Sequence, residues 1–193
     1  MDSICVYCGS NPGFDPAFLA AAVSLGTAMG NRGLRLVYGG SHLGMMGALA
    51  DAVLAAGGRV TGVVPRLLIE KEAAYLALED LHIVDSMHER KMRMADLAGG
   101  FVSLPGGFGT LDETFEIATW AQLGIHAKPV VLWNVNGFYD NLFAFLDQIV
   151  TAGLLRPQHR QLVREARTLE EVFQRLAEPV EAGGGKWMPG DLR

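Results

Sequence analysis

Residues 105–113, Pro-Gly-Gly-Phe-Gly-Thr-Leu-Asp-Glu, have the composition of a loop that binds an anion. They follow an apolar run that ends at Leu104 and precede a stretch with helical periodicity. Glycines let the backbone approach an anion closely, and the unpaired N–H groups at a helix start favour negative charge. Thr110 adds a hydroxyl donor. We therefore predict a phosphate-binding loop, and the alternative is a tight turn without a ligand.

The same segment departs from two common nucleotide-binding motifs. It lacks the Gly-Lys-Ser/Thr ending of a Walker A loop, and it breaks the dinucleotide-binding fingerprint at the third glycine. No intact fingerprint precedes an acidic residue at the expected distance of about 20 residues. The sequence therefore argues against an NAD-dependent dehydrogenase.

Glu113 is the candidate catalytic carboxylate of this segment. The spacing Thr110-x-x-Glu113 is that of a capping box, in which Glu113 bonds the backbone of Thr110 at a helix start. A carboxylate near a helix start also suits a group that stabilises positive charge or orients water. Both roles stay open. Glu116 and Trp120 fall near the same helical face and are candidates to line the same cleft, with Trp120 better explained as a core residue.

Two more loops rich in small residues follow apolar runs. Residues 38–47 read Tyr-Gly-Gly-Ser-His-Leu-Gly-Met-Met-Gly, and residues 8–13 read Cys-Gly-Ser-Asn-Pro-Gly. We predict that Ser10, Gly39 and Gly40 contribute to the same binding site. The alternatives are close helix packing for the first segment, with its methionines in the core, and an ordinary turn for the second.

Residues 86–93 place the cations Arg90, Lys91 and Arg93 near a predicted helix start. Cations there oppose the helix dipole, and a bound anion would relieve that cost. Arginine binds phosphate with two parallel hydrogen bonds. The alternative is a solvated basic face, and we interpret His88 as structural.

Cys5 and Cys8 form a Cys-x-x-Cys sequence within and at the end of a predicted strand. A zinc site needs further ligands, and a thioredoxin-like pair opens a helix after a strand. We therefore interpret both as reduced thiols, one of them in the core, and expect no metal site.

Short apolar runs alternate with helical stretches, a pattern that predicts an α/β fold with a parallel sheet covered by helices on both faces. Ligands of such sheets bind where the loops after the strands gather. The predicted strands are Ile4–Cys8, Leu34–Tyr38, Arg59–Val64, Leu81–Val84, Gly100–Leu104 and Pro129–Trp133. The predicted helices are Pro16–Arg32, Gly44–Ala56, Met87–Ala98, Thr110–Gly124, Phe138–Ala152 and Leu169–Ala177.

The composition predicts one globular domain over residues 1–178 and a flexible tail over 179–193 that contains three consecutive glycines. Half of the residues are hydrophobic and 19% are charged, which excludes a disordered chain. The net charge of −5 argues against a nucleic-acid polymer as partner. No secretion signal and no apolar run of about 20 residues is evident, so we expect a cytoplasmic protein that does not bind membranes.

Three segments together resemble the LONELY GUY family: Gly-Gly-x-x-x-Gly-x-Met-Gly at 39–47, Met-His-x-Arg-Lys at 87–91 and Pro-Gly-Gly-x-Gly-Thr-x-x-Glu at 105–113. The resemblance covers nearly the whole chain. Members are cytokinin riboside 5′-monophosphate phosphoribohydrolases, long mislabelled as possible lysine decarboxylases. The resemblance implies a Rossmann-like three-layer fold, a homodimer, and hydrolysis of a nucleoside 5′-monophosphate to an adenine-type base and ribose 5-phosphate.

The resemblance also implies roles for single residues. Arg90 and Glu113 match the catalytic pair, Met87 and Lys91 match positions beside the nucleotide, and no metal or organic cofactor is required. The residues that match the phosphate cradle are Gly106, Gly107, Gly109 and Thr110. Ser41, Phe108 and Asp112 depart from the residues common in the family, and Ser41 bears on which base is preferred.

Two other functions compete with this prediction. Related folds include molybdenum-cofactor carriers, which bind without turnover, so a nucleotide or cofactor carrier is the alternative. A pyridoxal-dependent lysine decarboxylase has little support, because Lys91 and Lys128 lack an evident cofactor setting.

Overall fold

A seven-stranded parallel sheet organises the chain in the computed structural model, which describes residues 1–69 and 74–180. The strands are β1 Ser3–Tyr7, β2 Arg35–Tyr38, β3 Val60–Pro65, β4 Asp80–Val84, β5 Phe101–Ser103, β6 Val130–Trp133 and β7 Val163–Ala166. Their order is β4-β3-β2-β1-β5-β6-β7. The order therefore reverses between β1 and β5, and in open parallel sheets the crevice at such a reversal is where ligands bind.

Helices cover both faces of the sheet. They are α1 Pro16–Asn31, α2 Gly44–Ala55, α3 Met87–Leu97, α4 Phe108–Gln122, α5 Asp140–Thr151, α6 Pro157–Arg160 and α7 Leu169–Ala177, with short 3-10 turns at Arg66–Leu68 and Val135–Gly137. One core layer holds side chains of α1, α2 and α7, and the other holds those of α3, α4 and α5. This confirms the predicted α/β fold of Rossmann-like type with three layers.

The apolar runs located six of the strands to within one or two residues at each end. Strand β7 and helix α6 were not predicted. Strand β7 lies at the edge of the sheet and reads Val-Arg-Glu-Ala, with Arg164 and Glu165 only partly buried. A strand with one neighbour needs no continuous apolar run, so this one lacks the signal that marks the central strands.

Cys5 and Cys8 are free thiols in different core layers, Cys5 with the α3 side and Cys8 with the α1 side. Both are buried, whereas the sequence placed only one of them in the core. Burial raises the pKa of each thiol well above its ordinary value. In the described ranges, no group of three or more His, Cys, Asp or Glu side chains is arranged to hold a metal ion.

Two sequence predictions concern the ends of the chain and membranes. From residue 181 onward, the tail predicted at 179–193 lies outside the described residues. Within residues 1–69 and 74–180, no helix has both the length and the apolar character needed to cross a bilayer.

Candidate active site

A cavity of about 440 Å³ opens at the carboxyl ends of β1 and β5, where the strand order reverses. Three loops and the start of α4 form much of its wall. In the loop after β1, Gly9 N donates a hydrogen bond of 3.1 Å to Pro105 O in the loop after β5. The loops after β1 and β2 meet at Gly44, where a Cβ would collide with the Ser10 carbonyl. The three loops singled out by the sequence therefore converge on one site.

Arg90 enters this cavity from α3 and is 6% exposed. Its Nε donates to the Val63 carbonyl and its Nη2 donates to the Gly39 carbonyl, each at 3.2 Å. Val63 belongs to β3 and Gly39 follows β2 directly. Two backbone carbonyls, one in β3 and one just after β2, therefore fix the plane of the guanidinium, which suits a buried charge that must keep its hydrogen bonds.

Glu113 faces Arg90 from α4, with 3.8 Å between Glu113 Oε1 and Arg90 Nη1. The two side chains are 12% and 7% exposed, and both line the cavity. Because little water screens these two charges, the attraction between them is stronger than between charges on the surface. The predicted pair is thus brought together beside the glycine loop.

Helix α4 begins at Phe108 and has Gly107 at its N-cap, two residues before the predicted start. Thr110 therefore lies inside the first turn, and Glu113 lies one turn further along. The capping box proposed for Thr110 and Glu113 is wrong, because Thr110 does not precede the helix. The earlier start also places backbone N–H groups without intrahelical acceptors at residues 108–110, beside the cavity.

The glycines at 106, 107 and 109 line the cavity, but they differ in what surrounds them. A Cβ at Gly106 would collide with the Thr110 side chain, whereas a Cβ at Gly107 or Gly109 would meet no atom within 4 Å. Gly106 is therefore needed for packing of the loop on Thr110. The backbone of Gly107 and Gly109 borders open space that an anion could occupy.

Gly39 and Gly40 have different surroundings. Gly39 lines the cavity, and a Cβ there would strike the Arg90 guanidinium and Met46. Gly40 has a positive φ of 79°, and its carbonyl accepts from Tyr75 N at 2.7 Å. Gly40 is absent from the described cavity wall and holds the segment before β4 in place instead. Ser10 lies in the wall.

Lys91 and Met87 are not among the described residues that line the cavity. Met87 is exposed on α3. Lys91 Nζ lies 3.1 Å from Asp112 Oδ2 and 3.0 Å from Glu116 Oε1 on α4. Burial alone lowers the pKa of Lys91, but the bonds to the two carboxylates outweigh it and raise this pKa above its ordinary value.

The three cations near the start of α3 do not form one cluster. Arg90 points into the cavity, Lys91 points to α4, and Arg93 Nε lies 3.3 Å from His82 Nδ1. The helix start is capped by Ser86 Oγ, which accepts from Glu89 N at 3.1 Å. The dispersal follows from the helix itself, because successive side chains point about 100° apart.

An apolar part of the cavity wall was not predicted. Phe18 of α1 and Phe138, before α5, lie edge to face with ring centroids 5.4 Å apart, and Met45 and Met46 of α2 line the same space. These residues come from three elements and form no motif along the chain. Trp120 packs against the core, as expected, and neither it nor Glu116 is part of the described cavity wall.

Comparison with known proteins adds a family and several relatives. A family model described as "Possible lysine decarboxylase" matches residues 46–176. A "Probable cytokinin riboside 5'-monophosphate phosphoribohydrolase" of Oryza sativa subsp. japonica is 48% identical over 177 residues, which cover 92% of this chain and 78% of that protein. A cytokinin riboside 5'-monophosphate phosphoribohydrolase of Arabidopsis thaliana is 43% identical over 175 residues, which cover 91% and 81%.

Solved structures extend the comparison to proteins with another role. The molybdenum cofactor carrier protein of Chlamydomonas reinhardtii is 25% identical, with a TM-score of 0.65 over 91% of this chain and 98% of that chain. The molybdenum cofactor binding protein of Rippkaea orientalis is 20% identical, with a TM-score of 0.63 over 89% and 91%. The latter likeness concerns the fold alone.

Proposed function

Because the chain belongs to the LONELY GUY family, whose relatives in Oryza sativa and Arabidopsis thaliana are cytokinin riboside 5'-monophosphate phosphoribohydrolases, we propose that it hydrolyses the N-glycosidic bond of such nucleotides or of AMP. The products are an adenine-type base and ribose 5-phosphate. The observation that carries this proposal is the shielded pair of Arg90 and Glu113 in a cavity beside a glycine loop at a helix start.

In this mechanism the phosphate binds the N–H groups of the first turn of α4, at Phe108, Gly109 and Thr110. The dipole and the unpaired donors of a helix start both favour a phosphate. Binding energy from the phosphate then holds the ribose over the reacting groups, although the phosphate itself does not react.

Glu113 stabilises the oxocarbenium-like sugar that forms as the glycosidic bond breaks, and it orients the attacking water. Arg90 supports this role because its Nη1 faces the Glu113 carboxylate while Nε and Nη2 are bonded to backbone carbonyls. The rigid guanidinium keeps the carboxylate directed at the sugar, and its charge lies near the departing base. The apolar wall at Phe18 and Phe138 suits an aromatic base.

The test measures base release from AMP and from isopentenyl-AMP by chromatography. We expect wild type to release base and Glu113→Gln, which keeps the size of the side chain, to lose about 100-fold or more of kcat. We expect a similar loss in Arg90→Met. Glu170→Gln, on the exposed side of α7, is the control and keeps wild-type turnover. A wild-type protein that releases no base from either nucleotide contradicts the proposal.

The second candidate is a carrier that binds a nucleotide or cofactor without turnover, favoured by the likeness to the carrier protein of Chlamydomonas reinhardtii. It predicts binding of the nucleotide by calorimetry in the absence of base release. In that case neither wild type nor Glu113→Gln releases base.

We propose further that the protein acts as a homodimer. Large apolar side chains are exposed on and beside α4 and α5, at Phe108, Ile125, Phe145 and Leu154. Exposed apolar side chains are removed from water when they are covered in a protein interface. Sedimentation velocity should give twice the chain mass of 20.8 kDa, and a species of one chain mass at micromolar concentration contradicts the dimer.

We also propose a cytoplasmic location. Two buried cysteines that remain free thiols fit a reducing compartment. Fractionation of cells that express the protein should recover it with cytoplasmic markers, and recovery with membranes or medium contradicts this location.

A further inference from the structure

Two ionic contacts connect α3 to α4, and they use adjacent residues on each helix. The inner contact joins Arg90 to Glu113 at 3.8 Å. The outer contact joins Lys91 to Asp112 at 3.1 Å and to Glu116 at 3.0 Å. The two residues that bind Lys91 therefore lie on either side of Glu113 in the sequence of α4.

Helix geometry explains why the two contacts face different ways. Asp112 and Glu116 are four residues apart and lie on the same side of α4, whereas Glu113 is turned about 100° from Asp112. Arg90 and Lys91 differ by the same angle on α3. One member of each adjacent pair points into the cavity and the other points across the groove between the helices.

The helices themselves rest on different parts of the sheet. Helix α3 packs on β1, β2, β3 and β4, whereas α4 packs on β1 and β6. They belong to the two halves of the fold on either side of the strand reversal. A side-chain bridge between them therefore influences how far apart their cavity-facing residues lie.

We propose that Lys91 is a positioning residue that sets the separation of Arg90 from Glu113 and does not contact the nucleotide. This inference rests on the proposed hydrolysis. It revises the role that the family resemblance implies for Lys91.

The surroundings of Lys91 fit a bridge better than a phosphate contact. Its side chain is 11% exposed, and its ammonium group is held by two carboxylates. Those oxygens neutralise the charge that would attract a phosphate, and an anion nearby would be repelled by both of them. Among the described residues of the cavity wall, Arg90 is the basic side chain on α3.

The experiment compares two ways of breaking the same bridge. Lys91→Met removes the charge and keeps the length of the stem. Asp112→Asn combined with Glu116→Gln removes both acceptor charges and leaves Lys91 in place. We expect each to lower kcat about tenfold, because a displacement of a fraction of an ångström disturbs the reacting geometry. The KM for AMP should stay within twofold of wild type.

A cycle of variants gives the decisive readout. When all three substitutions are combined, the loss should equal that of either change alone, since the bridge can be broken only once. Lys91→Arg should restore most of kcat. Arg175→Met, which breaks an exposed pair with Glu178 on α7, is the matched control and should leave kcat and KM unchanged.

Each contrary result has a definite meaning. A KM that rises tenfold in Lys91→Met but not in the carboxylate variant shows that Lys91 contacts the nucleotide and overturns the inference. Losses that multiply in the combined variant overturn it as well. If Lys91→Met does not fold by its melting curve, the carboxylate variant alone decides by the split between kcat and KM.

Failure of the proposed function is distinguishable from failure of this inference. Base release by wild type tests the former, and the comparison of variants tests the latter. If wild type releases no base, calorimetry with AMP replaces kinetics. An unchanged Kd in Lys91→Met then supports a Lys91 that does not touch the nucleotide, and a tenfold weaker Kd contradicts it.

Discussion

Arg90 determines which residue can occupy position 39. The guanidinium reaches the Gly39 carbonyl, and it passes so close to the Gly39 Cα that any side chain would displace it. The φ of Gly39 is not in the left-handed region, so backbone strain does not explain the glycine. This glycine accommodates Arg90 by the space that it leaves open.

Gly39→Ala should therefore act on chemistry through Arg90. We expect at least a tenfold loss of kcat/KM in base release, because the new methyl group shifts the guanidinium away from Glu113. Gly109→Ala is the steric control for stability, since a Cβ there meets no atom within 4 Å, and we expect its Tm to match that of wild type. Wild-type kcat/KM in a folded Gly39→Ala protein would contradict this explanation.

At the scale of single residues, the sequence motifs proposed Arg90 and Glu113 as a catalytic pair, and the structure places their side chains 3.8 Å apart. The sequence did not identify what holds Arg90, since its acceptors are the backbone carbonyls of Val63 and Gly39 and any residue type supplies a carbonyl. For Lys91, a list of residue types could not show that its partners would be Asp112 and Glu116.

At the scale of elements, the connection between β6 and α5 reaches the glycine loop. Tyr139 is 2% exposed, and its hydroxyl donates to the Leu104 carbonyl at 2.7 Å, immediately before Pro105. Its backbone N–H donates to Asn134 Oδ1 at 2.7 Å. One tyrosine thus links the end of β6 to the strand that leads into the glycine loop at residues 105–109.

Tyr139→Phe should weaken both stability and nucleotide binding. It removes one buried hydroxyl and leaves the Leu104 carbonyl without this donor, which costs about 1–3 kcal/mol of unfolding free energy. For a chain of this size the Tm should fall by about 2–12 °C. We expect KM to rise more than kcat falls, because the loop that we propose to bind phosphate loses a support.

Tyr75→Phe is the matched change. It also removes a hydroxyl, whose bond to Asp51 Oδ1 is 2.7 Å long but exposed. We expect a change of stability below about 1 kcal/mol, since water replaces the lost partner. Equal effects of the two substitutions would contradict a special role for the Tyr139 hydroxyl.

The elements themselves were predictable to different degrees. Central strands were located because both of their faces are covered, so their residues are apolar throughout. The start of α4 was misplaced because Thr110-x-x-Glu113 imitates a capping box, whereas the observed N-cap, Gly107, makes no side-chain bond. Edge strand β7, with its charged centre, gave no comparable signal.

At the scale of the whole molecule, two histidines connect stability to pH. Burial is the main cause that lowers the pKa of both His126 and His159 below 6.5, and a nearby charge on Lys128 or Arg156 contributes. His126 Nδ1 accepts from Lys128 N, so protonation of this nitrogen would break that bond. The folded state therefore favours the neutral form of both rings.

The sign of the effect follows from linkage. A group whose pKa is lowered by folding stabilises the native state fully above its ordinary pKa, and this stabilisation is lost as the pH falls through the lowered value. We expect Tm to fall as the pH is lowered from 7 to 5. The slope should be smaller in His126→Gln, measured by thermal unfolding, than in wild type.

His88→Gln, on the exposed side of α3, is the control for this measurement and should keep the wild-type slope. Carboxylates such as Asp80 act in a lower range, because the hydrogen bond from Thr61 holds its pKa below the ordinary value. A Tm that rises between pH 7 and pH 5 would contradict the assignment to buried neutral histidines.

The reversal of strand order also governs when the site comes into existence. Arg90 precedes β5 in the chain, and Glu113 follows it. During synthesis, the arginine, its two acceptor carbonyls and two of the three loops are made before the carboxylate. No partly translated chain that stops ahead of α4 has both members of the proposed catalytic pair, so we expect base release only after β5 has docked against β1.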